Sequence, residues 1–111
     1  MNEYQASMTE TELVDSIIQL AKLHGWLVYH QRPMRTQDGQ WRTGVQGDKG
    51  LPDLILARDG VVWFFECKSE KGTLSEEQKL WYHALPHCLV VKPEQWYSGE
   101  IEVVLTGKKE R

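Results

Sequence analysis

The chain has 111 residues, of which 41% are hydrophobic and 26% charged, the size and composition of one ordinary globular domain. No apolar run approaches the ~18 residues of a membrane span, and the acidic, polar first residues do not resemble a targeting peptide. We therefore expect a cytoplasmic protein with no membrane partner. Cys67 and Cys88 lack Cys-x-x-Cys spacing and are expected to be reduced core thiols.

Charge is distributed unevenly along the chain, whose net charge is −3. Residues 1–20 contain four acids and no basic residue, whereas residues 22–49 contain five basic residues and two acids. Carboxylates that bind a metal ion are also partly neutralised by that ion. The overall acidity therefore does not exclude DNA as a partner.

The first predicted element is an amphipathic helix. Thr9 and Glu12 have the spacing of a capping box, and apolar residues then recur with helical period. This pattern predicts a helix over residues 10–24, ended by Gly25.

A strand and a long loop follow this helix. Residues 26–30 are apolar and aromatic, which predicts a strand. Residues 31–50 have no apolar periodicity, and loops of this length are often functional. The Asp-Gly pair at 38–39 indicates a short hairpin within the loop.

The centre of the chain predicts a β-hairpin. Two apolar runs, residues 53–57 and 61–68, flank a second Asp-Gly pair, which is a strong hairpin signal. Counting outwards from the turn places Asp53 opposite Phe65 or Glu66.

The rest of the chain predicts one more helix and two more strands. A helix over residues 76–85 begins after a cap at Thr73 or Ser75, and strands follow at 88–91 and 101–105 with a loop between them. The order α-β-β-β-α-β(-β) predicts an α/β fold with a mixed sheet flanked by helices. The helix in the second half should connect two parallel strands.

Two short motifs contain the residues suited to chemistry, Gly50-Leu51-Pro52-Asp53 and Glu66-Cys67-Lys68. Strand alternation places Glu66 and Lys68 on one face and Cys67 on the other. An isolated Glu-x-Lys in a strand is usually an ion pair or a solvated face. The hairpin spacing that brings Asp53 to Glu66 favours a site, because paired carboxylates suit Mg²⁺ or Mn²⁺.

Together with Leu74-Ser75-Glu76-Glu77-Gln78, these motifs resemble the PD-(D/E)xK nuclease superfamily, and within it the VRR-NUC group. The resemblance covers about residues 10–91. It implies a restriction-endonuclease-like fold and a single nuclease domain over residues 1–111, with its core at about 9–106. It also implies metal ligands at Asp53, Glu66 and the Cys67 backbone carbonyl, with Lys68 as the catalytic lysine.

The resemblance further implies a ligand glutamate on the first helix, where two residues compete. Glu10 lies three, four and seven residues before apolar positions and so shares the buried face, whereas Glu12 falls on the polar face. We expect Glu10 to be the ligand and Glu12 to be a capping residue. On the second helix, Gln78 resembles the family's glutamine and would hydrogen-bond the site or the substrate, the alternative being an exposed helix glutamine.

Basic and aromatic residues of the long loop are candidates for DNA contact. Phosphate contacts are predicted for Arg32, Arg35, Arg42 and Lys49. Trp41 would stack on an unpaired base, or else pack in a core or a dimer interface. The remaining tryptophans fall inside predicted elements and are expected in the core, namely Trp26, Trp63, Trp81 and Trp96.

Other chemistries find little support in the sequence. His83, His87 and Cys88 are interrupted by Pro86 and have no second ligand pair, so a zinc site is not expected. No Gly-x-x-x-x-Gly-Lys loop is present, so no nucleotide cofactor is expected.

The expected function is therefore hydrolysis of DNA phosphodiester bonds by a Mg²⁺- or Mn²⁺-dependent endonuclease. The resemblance implies a standalone enzyme of a phage or bacterium that cuts branched DNA such as Holliday junctions as a homodimer. A dimer would also bury the apolar residues near Trp96 and Ile101. Alternatives are an exonuclease, a restriction-like nuclease or a catalytically silent DNA-binding subunit.

Overall fold

The computed structural model describes residues 7–31, 34–35, 37–39, 41–42 and 44–107. In chain order, the elements are α1 (Glu10–Leu23), β1 (Leu27–His30), β2 (Met34–Arg35), β3 (Trp41–Arg42), β4 (Leu54–Arg58), β5 (Val61–Cys67), α2 (Glu76–Ala84), β6 (Cys88–Val91), α3 (Pro93–Tyr97) and α4 (Glu100–Thr106). In these parts of the chain, no helix is long and apolar enough to cross a membrane.

The main sheet has four strands in the order β1-β4-β5-β6. β4 pairs antiparallel with both β1 and β5, whereas β5 and β6 are parallel. The predicted mixed sheet is therefore confirmed, as is the parallel connection through α2. β2 and β3 form a separate antiparallel pair around the Asp-Gly turn of the long loop, as predicted.

α1 begins at Glu10, where the sequence predicts, and its first turn is capped by Thr9. The Thr9 hydroxyl accepts from the Glu12 N–H at 3.1 Å, and the Glu12 carboxylate accepts from the Thr9 N–H at 2.8 Å. These bonds satisfy backbone donors that a helix start leaves without partners. Gly25, at φ 84°, follows the helix end, where its left-handed conformation is easily adopted.

The hydrophobic core lies on one face of the main sheet. Side chains of β4, β5 and β6 on this face pack with α1 and α4. The fully buried members include Leu13, Ile17, Leu54, Leu56, Phe65, Cys67, Val91, Ile101 and Leu105. Trp26 closes one end of the core, and its indole N–H donates to the Leu105 carbonyl at 2.8 Å.

The predictions for residues 93–105 were wrong. Residues 93–97 form α3 rather than a loop, and residues 101–105 belong to α4 rather than to a strand. The β-branched residues at 101–104 favour a strand locally, but Ile101 and Leu105 are four residues apart and both fully buried. Helical spacing brings this pair into the core, and burial outweighs the local preference.

Two predictions about apolar side chains are also corrected. Ile101 is buried inside the monomer, so it is not available for the expected dimer interface. Trp26 is in the core as predicted, and Trp63 and Trp96 are half-buried and pack against it, whereas Trp81 is half-buried without belonging to the core.

Replacing Leu105 with Ala should lower the free energy of unfolding by about 2–5 kcal/mol, since it leaves a cavity in a packed core. Leu23→Ala is the matched control, because Leu23 is 78% exposed, and it should change stability by less than about 0.5 kcal/mol. Urea unfolding followed by circular dichroism measures both. Equal effects of the two substitutions would contradict the packing of α4 on the core.

Candidate active site

The turn between β4 and β5 sets the geometry of the site. Asp59 and Gly60 both have positive φ angles, 51° and 82°, and they form a two-residue connection between the paired residues Arg58 and Val61. Such a turn matches the right-handed twist of the two strands and fixes their register.

That register brings two acids together at the other end of the hairpin. Leu54 pairs with Phe65, so the next position outwards on each strand is Asp53 or Glu66. Side chains at opposed positions of antiparallel strands project to the same face. Asp53 and Glu66 therefore meet at one end of the sheet, on the face opposite the core.

Asp53 is held in place by the backbone of β5. Its Oδ2 accepts a hydrogen bond from the Cys67 N–H at 2.8 Å. On the other side, the Asp53 carbonyl accepts from the Gln31 N–H at 3.3 Å. The carboxylate is therefore oriented beside Cys67, the residue whose carbonyl is predicted to be a ligand. The Cys67 side chain itself points into the core, and burial raises the pKa of its thiol.

Glu66 is the one charged residue among the buried side chains of the described regions, at 3% exposure. Its Oε2 accepts from Gln78 Nε2 at 3.3 Å, whereas its Oε1 is buried with no hydrogen-bond partner among the described residues. A buried carboxylate oxygen without a donor is costly. When Glu66 is ionised, the site thus contains an acceptor oxygen to which no described protein group donates.

The electrostatics of Glu66 reflect this environment. Burial raises its pKa to about 9, and the neighbouring Asp53 adds to the shift through a hydrogen bond to the protonated form and repulsion of the charged form. The positive charge of Lys68 lowers the pKa of Glu66. The pair of acids therefore requires either a shared proton or a cation between them.

Glu10 approaches the same site from the first turn of α1. Partial burial and the Asp53 charge raise the pKa of Glu10, and the Lys68 charge lowers it, so Glu10 lies within electrostatic reach of both residues. Glu10 precedes the buried Leu13, Val14 and Ile17 by the predicted three, four and seven residues, although as the first residue of α1 it is itself exposed. Its position at the helix start carries its carboxylate beyond the core to the end of the sheet. Glu12 forms the capping box, as predicted.

Gln78 connects the site to the start of α2. The capping residue is Ser75 rather than Thr73, and the Gln78 Oε1 accepts from the Ser75 N–H at 2.9 Å. Because that bond engages the amide oxygen, the amide nitrogen is directed at Glu66. The structure therefore brings Gln78 to the carboxylates, although its role in function stays a prediction.

The donor set fits a hard divalent cation in its chemistry. No three His, Cys, Asp or Glu side chains in the described parts of the chain stand close enough together to hold a metal ion without moving. However, carboxylate oxygens are the ligands that Mg²⁺ and Mn²⁺ prefer. The unsatisfied Glu66 Oε1 is an acceptor that such a cation would satisfy.

The predicted DNA-contact residues are only partly described. Arg32 lies outside the described residues, and for Arg35, Trp41 and Arg42 the structure describes only the backbone, in β2 and β3. Lys49 is exposed. Phosphate contact by these residues stays a prediction.

Two residues near the site were not identified from the sequence. Trp81, predicted as a core residue, donates its indole N–H to the Lys49 carbonyl at 2.9 Å. Gly50, at φ 101°, packs against the backbone of Glu77 in α2. The position of Gly50 in the Gly-x-Pro-Asp motif could have indicated its role in the sequence. No local pattern indicated the hydrogen bond between Trp81 and Lys49.

Comparisons of the chain with models of protein families, with curated proteins and with solved structures find no match in any of the three. The resemblance to PD-(D/E)xK nucleases therefore depends on the motifs and on how they are arranged.

The raised pKa of Glu66 predicts a pH-dependent stability in the absence of metal. The folded-state pKa of Glu66 is about 9, above the unfolded value near 4.5. The contribution of Glu66 to the stability of the fold is therefore fully present below pH 4.5 and is lost as the pH rises towards 9. Glu66→Gln keeps the shape and stays neutral, so its melting temperature should fall less between pH 5 and pH 9. Thermal melts in EDTA measure the difference, and Glu102→Gln, on an exposed position of α4, is the control. Parallel pH profiles for wild type and Glu66→Gln would contradict this electrostatic account.

Proposed function

We propose that this protein is a divalent-metal-dependent nuclease that hydrolyses phosphodiester bonds in DNA. The observation that carries the proposal is the pairing of Asp53 with the buried Glu66, whose Oε1 lacks a partner. Lys68 follows on the same strand face, within electrostatic reach of both Glu66 and Glu10. This set matches, residue by residue, the motifs that resemble the PD-(D/E)xK superfamily.

Each acid has a distinct part in the proposed site. Asp53 and Glu66 hold Mg²⁺ or Mn²⁺ together with the Cys67 carbonyl, and Glu10 completes the donor set from α1. When bound, the ion supplies Lewis-acid polarisation of the scissile phosphate and activation of a water molecule. Asp53 keeps its orientation through the Cys67 N–H, so it needs little reorganisation to serve as a ligand.

Lys68 and Gln78 act beside the acids. The half-buried Lys68 places a positive charge where negative charge builds up on the phosphate during cleavage. Such a group is most effective in a site with little water, because electrostatic interactions there are less screened. Gln78 holds Glu66 through its amide nitrogen and thereby directs the other carboxylate oxygen.

The proposed substrate is DNA of defined shape, in particular branched DNA such as four-way junctions. A small single domain has little surface with which to read base sequence, so binding would depend on phosphate contacts and on DNA shape. Symmetric cutting of a junction requires two active sites, which implies a homodimer. Ile101 itself does not contribute to that interface, because it is inside the monomer core.

The test is cleavage of labelled duplex, single-stranded, flap and four-way-junction DNA with Mg²⁺ or Mn²⁺. Wild type should cut at least one substrate. Lys68→Ala and Glu66→Gln should each lower the cleavage rate about 100-fold or more, because each removes a group that acts in the transition state or on the metal. Lys22→Ala and Glu102→Gln, both at exposed positions, are the matched controls and should cut like wild type.

The products also distinguish the alternatives. Paired cuts at the junction support a resolvase, whereas stepwise loss of end label indicates an exonuclease. DNA binding by wild type with no cutting under either metal would overturn the enzymatic proposal in favour of a silent DNA-binding subunit. Unchanged cleavage by Lys68→Ala or Glu66→Gln would show that the active site lies elsewhere.

A further inference from the structure

α2 carries a site residue without being anchored in the core. None of its nine residues is buried, yet Gln78 from its first turn donates to Glu66. Most helices in proteins are held by an apolar face packed against other elements. The position of Gln78 over the carboxylates therefore requires another restraint.

The two-residue segment Lys49–Gly50 provides two such restraints. The Trp81 indole N–H donates to the Lys49 carbonyl at 2.9 Å. One residue later, Gly50 lies so close to α2 that an added Cβ would stand 2.6 Å from the Glu77 carbonyl carbon. Gly50 also has a φ of 101°, which side-chain-bearing residues rarely adopt.

The same segment also leads directly into Asp53. Gly50 and Asp53 are separated only by Leu51 and Pro52, and proline restricts the backbone there. The segment Lys49–Gly50 is therefore connected to Asp53 through the backbone. It is connected to Gln78 through its contacts with Trp81 and Glu77 of α2. Glu66 lies between these two groups, with Gln78 bonded to its Oε2.

We propose that Trp81 and Gly50 are positioning residues that fasten α2 to the segment before Asp53, and so hold Gln78 against Glu66. The inference rests on the proposed nuclease function and deepens it. Neither residue is assigned as a metal ligand or a DNA contact in the proposed site. Both act on the rate of cleavage through the orientation of Glu66.

Trp81→Phe is the most direct test, because it replaces the indole with a smaller aromatic ring and so removes the N–H donor. With Mg²⁺ and the best-cleaved DNA, kcat should fall about 10-fold, as for groups that orient metal ligands, while KM for DNA stays within about twofold. Leu80→Ala is the matched control, since Leu80 immediately precedes Trp81 in the helix and is 73% exposed. It should leave kcat unchanged.

A double-mutant cycle separates positioning from a general loss of stability. If Trp81 acts through Gln78, then adding Trp81→Phe to Gln78→Ala should lower kcat by less than about twofold further. Independent effects that multiply in the double variant would overturn the proposal. So would a Trp81→Phe variant with the kcat of wild type.

Gly50→Ala and hydrogen exchange provide a test that does not depend on activity. In both Gly50→Ala and Trp81→Phe, backbone amides of α2 should exchange faster than in wild type, while those of β5 stay protected. If Gly50→Ala does not fold, Trp81→Phe alone decides. If wild type cuts no DNA, the proposed function fails, but faster exchange confined to α2 still supports the fastening, and unchanged exchange overturns it.

Discussion

The hydrogen bond from the Cys67 N–H to the Asp53 carboxylate is the contact on which the rest of the site depends. It lies where β4 begins and β5 ends, so one backbone donor fixes an acid from the first strand beside an acid of the second. Glu66 is thereby buried next to another carboxyl, and its charged form is disfavoured. In the proposed site, a divalent cation would take the place of the proton that such a pair of acids otherwise shares.

One face of the sheet packs in the hydrophobic core, and the other carries the candidate site. Alternation along β5 sends Phe65 and Cys67 into the core and Glu66 to the opposite face. The core face is covered by packed helices and supplies stability through apolar burial. At the site, α2 contributes Gln78 to the other face and buries none of its own residues. Gln78 is therefore held at the site through polar contacts rather than through α2 residues buried in the core.

The absence of a match to known families or structures is compatible with the resemblance of the motifs. The candidate chemistry depends on a handful of positions, whereas the core accepts many apolar sequences of similar volume and pattern. A chain can therefore keep the acids, the lysine and their spacing while the rest of its sequence diverges. The hairpin register gives the motifs physical meaning here, because it brings Asp53 and Glu66 to one end and one face of the sheet.

The sequence alone determined the features that depend on neighbours in the chain. The capping box of α1 and a hairpin that brings Asp53 opposite Phe65 or Glu66 follow from turn chemistry and from the two-residue period of strands, and the structure then selects Glu66, because Leu54 pairs with Phe65. Only the tertiary structure decided that residues 100–106 form a helix, that the exposed Glu10 lies within electrostatic reach of Lys68, and that Lys49 and Gly50 contact α2. These features depend on contacts between residues far apart in the chain. In α4, the burial of Ile101 and Leu105 outweighs the local preference for a strand. For the other contacts, no short pattern in the sequence indicates which residues will meet.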